Sequence, residues 1–215
     1  VLSPDFPGLS VGHIHAGKDA DGVCRSLPLI VSFGGKQRWA FSIELARVFL
    51  GVPREEVRLD GPSLWLGDSV AIPRLAAPID DALDAFGLLP VVSRDQLLIN
   101  SRGETGTFMT VPAADVLTGE QEALKALQDR IVLVGATSYA LGDHLSTAFS
   151  GPGEMPGIEI HANALDTILN RRFLGAMIEP QVSIYLAALV AGLWMLFTFW
   201  PRSRTLPILP VLLLA

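Results

Sequence analysis

The chain has 215 residues, with 22 acidic side chains against 16 basic ones and a formal net charge of −6; its pI is about 5.1 and its mean hydropathy +0.42. No basic footprint is present to neutralise phosphates, which argues against a nucleic-acid partner. A single cysteine, Cys24, excludes an intrachain disulfide and a cysteine-built zinc site.

The N-terminal "VLSPDFPGLS" has no initiator Met, basic start or apolar core, so it does not read as a signal peptide. An exported body would then take its export signal from upstream, and the chain is expected to be a piece of a longer protein. In "VGHIHAGKDADGVCRSLPL", Val11 to Leu29, the Asp21-Gly22 pair between two extended runs predicts a hairpin. Pro28 cannot donate to a ladder from a central strand, so this hairpin belongs at an edge. Cys24 reads as a small strand residue.

Gln37 to Leu50 is predicted helical, with Trp39, Ile43, Ala46 and Leu50 on one face and Glu44 and Arg47 on others. Gly51 and Pro53 should end it. Short strand-like runs follow in "VRLD" and "SVAIP". Asp80 to Gly87 fits either a short helix or a loop insertion. Leu97 to Asn100 and "TFMTV" read as strands around the turn "SRGETG". Pro112 starts the short helix "PAADVLTG", and "EQEALKALQ" is a good helix former. "RIVLVGA" is the strongest strand pattern: apolar on both faces, it is expected to be buried on both, as in a helix-covered sheet.

A helix is predicted from about Ile158 to Arg171. Ile158, His161, Ala162, Leu165, Ile168 and Leu169 form its apolar stripe; Glu159, Asn163, Asp166 and Asn170 form a polar one. The elements together predict an α/β body over residues 1–179, a mixed sheet flanked by helices in a Rossmann-like arrangement.

The tail changes character. "VSIYLAALVAGLWMLFTFW", Val182 to Trp200, contains no charge and carries aromatics near both ends. A transmembrane helix is expected over 180–200, then a short basic turn at 201–204, then the start of a second transmembrane helix at 205–215. Arg202 and Arg204 place the turn in the cytoplasm by the positive-inside rule, which puts the body on the outside.

No complete catalytic motif is present. "SFGGKQ" has Gly35-Lys36, but Ile30 and Gln37 stand where a phosphate-binding P-loop needs Gly and Ser or Thr. After Gly135 the glycines of a dinucleotide fingerprint are missing, and neither a hydrolase elbow nor a zinc-protease motif occurs. His13 and His15 alternate on one face, as metal ligands or as polar residues of an edge strand. His161, on the apolar stripe, is either a satisfied core histidine or a group reaching a crevice. The loop from Gly142 to Gly157 is long for a compact domain, and long loops are often functional; within it, Asp143 either caps backbone amides or meets a ligand beside His144. The candidate ligand residues are therefore Gly135, Asp143, His144, His161 and Asn163; no catalytic residue, metal or cofactor is expected.

"VGHIHAGKDADGVCRSLPL", "LINSRG", "VPAADVLTG" and "RIVLVGATSYALGDHLSTAFSGPGEMPGIEIHANALDTIL", in that order, resemble the CHASE type 2 domain, the second class of cyclase/histidine-kinase-associated sensory extracellular domains. The resemblance runs from about Leu9 to Leu174. It departs at Cys24, where an aliphatic residue is usual, and at Ala148-Phe149, where Pro-Phe is. It implies the extracytoplasmic sensor of a bacterial inner- or plasma-membrane receptor. Such a sensor controls an output domain, of which adenylate/guanylate cyclase is favoured over histidine kinase, serine/threonine kinase or diguanylate cyclase. The implied partners are the lipid bilayer, an extracytoplasmic ligand or protein, and a second copy in a homodimer. Two alternatives stay open: a membrane-anchored enzyme with a crevice at 135–157, and a dimerisation domain without a ligand.

Overall fold

The computed structural model describes residues 10–33, 36–76, 91–92, 95–150, 153–175 and 179–199. The chain divides into two compact units, Val1–Gly175 and Ala176–Ala215.

In the first unit, strands β1 (Ser26–Pro28), β2 (Ile30–Phe33) and β3 (Lys36–Trp39) lead into helix α1 (Phe41–Phe49). The helix starts later than its periodicity suggests because residues 36–39 are claimed by the β2–β3 hairpin, where Ile30 pairs with Trp39. It ends as expected: Gly51 takes φ +68, and the Val52 amide returns to the Arg47 carbonyl. Strands β4 (Val57–Asp60), β5 (Ser63–Leu66) and β6 (Val70–Pro73) form an antiparallel meander. Glycines at positive φ, Gly61 and Gly67, make its two turns. Alternation along β5 buries Leu64 and Leu66.

Strands β7 (Leu75–Ala76) and β9 (Asp95–Leu98) join β1 in the order β1-β9-β7, and β8 (Val91–Val92) joins β2 and β3 in the order β3-β2-β8. Pro28 therefore lies in an edge strand, as expected, but among the described residues the runs flanking the Asp21-Gly22 turn do not pair as a hairpin: β1 pairs with β9, and His13 and Cys24 bridge to Ala40 and Thr147. Helices α2 (Ala113–Leu117) and α3 (Gln121–Leu127) follow where their sequences predict them. Strands β10 (His144–Leu145) and β11 (Met155–Pro156) then pair across the long loop, and α4 (Gly157–Leu169) completes the unit. One core joins these layers, with Leu27 and Leu29, the α1 residues Ile43 and Ala46, and the α4 residues Ile160 and Ile168 among its members.

The mixed α/β class holds, but the single Rossmann-like sheet is replaced among the described residues by small antiparallel sheets. Parallel contacts occur there only as two isolated bridges, His13 to Ala40 and Cys24 to Thr147. Short turns, which can return a strand only antiparallel, account for the pairs β2–β3, β4–β5 and β5–β6; β1–β9, β2–β8 and β7–β9 are antiparallel across longer connections.

The expectation for "RIVLVGA" is corrected more sharply. Residues 131–138 are in no strand or helix. Val132 is 45 % and Val134 86 % exposed, so the segment is not covered on both faces. Its apolar pattern reports that cover would be favourable; it cannot supply the cover. "TFMTV" likewise forms no strand. The apolar stripe of α4 is wider than expected: Ile160 and Ala164 are buried, while Ile158, Ala162 and Leu169 are only half-buried. Asp80 to Gly87 lies outside the described residues.

The second unit contains helix α5 (Glu179–Phe199, 21 residues). Its side chains are described from residue 183 to 199 and are exposed throughout. Among the described residues, no helix is long and apolar enough to cross a membrane. The basic turn at 201–204 and the apolar run at 205–215 lie outside them.

Candidate functional site

The first turns of α4 are the meeting point of most candidate residues. Gly135 passes against Ile158: a Cβ at 135 would stand 2.6 Å from the Ile158 Cβ. Asp143 lies on the helix start. Its carbonyl accepts from the Gly157 amide at 3.0 Å, and its carboxylate fills the space a Gly157 side chain would need, with Oδ1 2.4 Å from that Cβ position. Glycine at 135 is thus required by close approach, whereas a side chain at 157 would have to displace the Asp143 carboxylate. Asp143 thus holds a helix-start amide, through its main-chain carbonyl, and the residue is exposed.

His144 is buried and pairs through its backbone with Pro156. Its ring stacks on Tyr139, with centroids 4.0 Å apart and planes 11° from parallel. Its Nδ1 is buried without a hydrogen-bond partner among the described residues. The Tyr139 hydroxyl also accepts from the Glu154 amide at 3.0 Å, so this tyrosine staples the long loop shut. Ordinary sequence reasoning misses Tyr139, because no periodicity links it to a partner fifteen positions on.

His161 is 3 % exposed. It packs edge-on against Phe41, with centroids 5.7 Å apart, and its Nε2 lies 3.3 Å from the Ile14 carbonyl. A carbonyl can only accept, so Nε2 carries the hydrogen and Nδ1 is the bare acceptor; Nδ1 is buried with no partner among the described residues. Burial holds this imidazole below its ordinary range, against smaller opposing effects of the Ile14 carbonyl and Asp143. His13 belongs to the same neighbourhood. Burial, reinforced by repulsion from His15 and His161, pushes it down to about 4. Among the described residues, no three His, Cys, Asp or Glu side chains are arranged to hold a metal.

Asn163 is not part of this cluster. It is 1 % exposed, and its amide group is occupied. Oδ1 accepts from the Arg102 amide at 2.9 Å, and Nδ2 donates to the Glu159 carbonyl at 3.0 Å. The polar stripe of α4 is therefore a fastening: Glu159, Asn163 and Thr167 accept from the amides of Gly106, Arg102 and Asn100 respectively. Asp166 adds ion pairs to Arg102 and Arg172. Thr167 is the member that the polar stripe left out.

Among the described residues the site gathers two imidazoles, one carboxylate and the Tyr139 ring. The family model of the CHASE2 domain matches residues 3–200. The chain belongs to the CHASE2 domain family. No curated protein and no solved structure matches it. A CHASE2 domain is a non-catalytic sensory domain of signalling proteins, and its family members are extracellular modules of membrane proteins. The α4 fastening and the Tyr139 staple are accordingly read as the frame of this CHASE2 domain, and the Gly135, Asp143, His144 and His161 group as its candidate sensing region.

Proposed function

We propose that residues 1–179 are the extracytoplasmic sensory body of a bacterial membrane receptor, that 180–200 is its transmembrane helix, that 201–204 is a cytoplasmic basic turn and that 205–215 begins a second span. The output domain is a signalling enzyme in the cytoplasm, an adenylate/guanylate cyclase in the favoured reading, and the receptor works as a homodimer. The family match carries this reading. The uncharged sequence from Val182 to Trp200 supports the anchor: nineteen residues at about 1.5 Å each approach the thickness of a bilayer core.

Sensing needs two arrangements that a ligand distinguishes, since equal affinity for both shifts nothing. The ligand region is the start of α4, where Gly135, Asp143, His144 and His161 converge. Asn163 supports it from behind rather than by contact. One observation favours a second reading, a dimerisation domain without a ligand: the apolar stretch around Val132 and Val134 is exposed, and exposed apolar surface marks contact sites.

Topology is tested in intact cells carrying the full-length receptor. The Cys24 thiol is buried and pushed up to about 11 by that burial, so it stays silent toward maleimides. Lys18→Cys, at an exposed position, is expected to label with a membrane-impermeant maleimide without lysis. Labelling that appears only after lysis refutes the extracytoplasmic placement.

A further inference from the structure

The segment Ser10–Ala16 is a strap laid across the beginnings of α1 and α4, and histidines hold much of it. The His13 amide donates to the Trp39 carbonyl at 2.9 Å, and the Phe41 amide to the His13 carbonyl at 2.8 Å. The fit is close: a Cβ at Gly12 would stand 2.6 Å from the Phe41 Cα. Arg47 reaches the Ser10 hydroxyl at 2.9 Å. The His15 amide donates to His13 Nδ1 at 3.2 Å, and His161 Nε2 donates to the Ile14 carbonyl.

Both imidazoles sit at the strap in their neutral form. Protonation of His161 would leave its Nε2–H bond to the Ile14 carbonyl in place; what works against the strap is the buried charge. His13 Nδ1 is an acceptor, so its second proton has to displace the hydrogen bond from His15. The hydrogen then sits on His13 Nε2, which is buried without a partner among the described residues. His161 would gain an N–H at Nδ1, which is equally buried and unpartnered. At His161 a buried N–H⁺ with no acceptor is costly; at His13 the cost is that of burying the charge, which the Pro28 and Leu29 carbonyls only partly offset.

We propose that the strap Ser10–Ala16 is an acid-released latch: neutral His13 and His161 hold it across α1 and α4, and their protonation frees it, making the proton itself a signal this domain can detect. Its use as a signal rests on the sensory reading above; the latch chemistry does not.

The groups around the latch determine its direction. On the strap, His13 and His15 repel as cations, and His161 on α4 repels His13 in the same way. Asp143, from the loop before α4, favours a charged His161, but it is exposed and screened by water. The Pro28 and Leu29 carbonyls favour a charged His13 without outweighing its burial. From α1, the aromatic ring of Phe41 faces His161, while Glu44 is occupied by Arg47 and Arg54. Released histidines return to their ordinary 6.5. The free strap therefore binds more protons than the latched one between about pH 6.5 and 4, so the latch holds above 6.5 and weakens as pH falls. With the latched His13 at about 4, its share alone shifts the release equilibrium about 30-fold between pH 7.5 and 5; His161 adds in the same direction.

Hydrogen exchange on the full chain, corrected for the intrinsic pH dependence of amide exchange, reads the latch at residues 10–16 and at Phe41. Protection there is expected to fall at least 30-fold from pH 7.5 to 5, and His13→Gln or His161→Gln to reduce that fall. Protection that stays constant, or a fall unchanged in both folded variants, overturns the latch. Should a variant not fold, imidazole proton shifts of the unaltered chain decide: both histidines are expected to titrate below 6.5, and either one titrating at or above 6.5 refutes the proposal. Neither readout involves the output domain, so loss of the sensory reading would leave the latch result standing, and the reverse.

Discussion

Replacing Asn163 with alanine tests whether the polar stripe of α4 is a fastening. Asn163 is 1 % exposed. Its Oδ1 accepts from the Arg102 amide at 2.9 Å; its Nδ2 donates to the Glu159 carbonyl at 3.0 Å and reaches Met155 Sδ at 3.5 Å. Two neutral hydrogen bonds of ordinary geometry contribute about 0.5–1.5 kcal/mol each, and a thioether sulfur adds little. The substitution also leaves a small void in a tightly packed place. A loss of about 2 kcal/mol follows, which for a body of this size lowers Tm by roughly 4–8 °C.

The location of the damage is more diagnostic than its size. Residues 100–106 are tied to α4 through three amides, those of Asn100, Arg102 and Gly106. Hydrogen exchange at Arg102 should rise in Asn163→Ala far more than exchange within the β4–β5–β6 meander. Thr167→Val removes the neighbouring tie to Asn100, and because the two ties hold the same short segment, Asn100 to Arg102, the double variant should not be additive. An Asn163→Ala chain that loses less than about 0.5 kcal/mol, or whose Arg102 amide keeps its protection, refutes the fastening.

Gly135→Ala places a methyl 2.6 Å from the Ile158 Cβ; overpacking of this kind costs about 1–3 kcal/mol, and the loss of Tm should be smaller when the change is made in an Ile158→Gly chain, which lacks that Cβ. An equal loss in thermal unfolding would mean that the glycine serves something other than close packing. Glu44→Ala removes the carboxylate between Arg47 and Arg54; as Glu44 is only 2 % exposed, breaking the pair should cost about 3 kcal/mol. A urea midpoint within error of the parent chain would show that Arg47 is satisfied by Val52 and Ser10 alone.

Local patterns were legible wherever the chain contacts itself within a few residues. The Asp21-Gly22 turn, the end of α1 at Gly51, the two short helices after Pro112 and the 13-residue α4 all follow from turn chemistry and periodicity. The candidate site was legible in part. Its glycine, aspartate and two histidines stand out in a long loop and the helix after it, but Tyr139, Ile14 and Phe41, which complete their surroundings, carry no signal.

Asn163 shows the limit most clearly. Its place on a polar stripe was visible, yet the stripe's purpose depends on a strand extension about sixty residues earlier in the chain. The segment after Arg130 shows the converse. Its apolar residues declare what would be favourable, and only the packing decides whether neighbours arrive. By itself, the sequence determined the family, the helices, the turns and which residue types gather near α4. Only the tertiary structure decided that the sheets are small and antiparallel, that Asn163 ties Arg102 to α4, and that His13 and His161 come together at the strap. Those outcomes depend on contacts between distant parts of the chain, and local propensity does not encode such contacts.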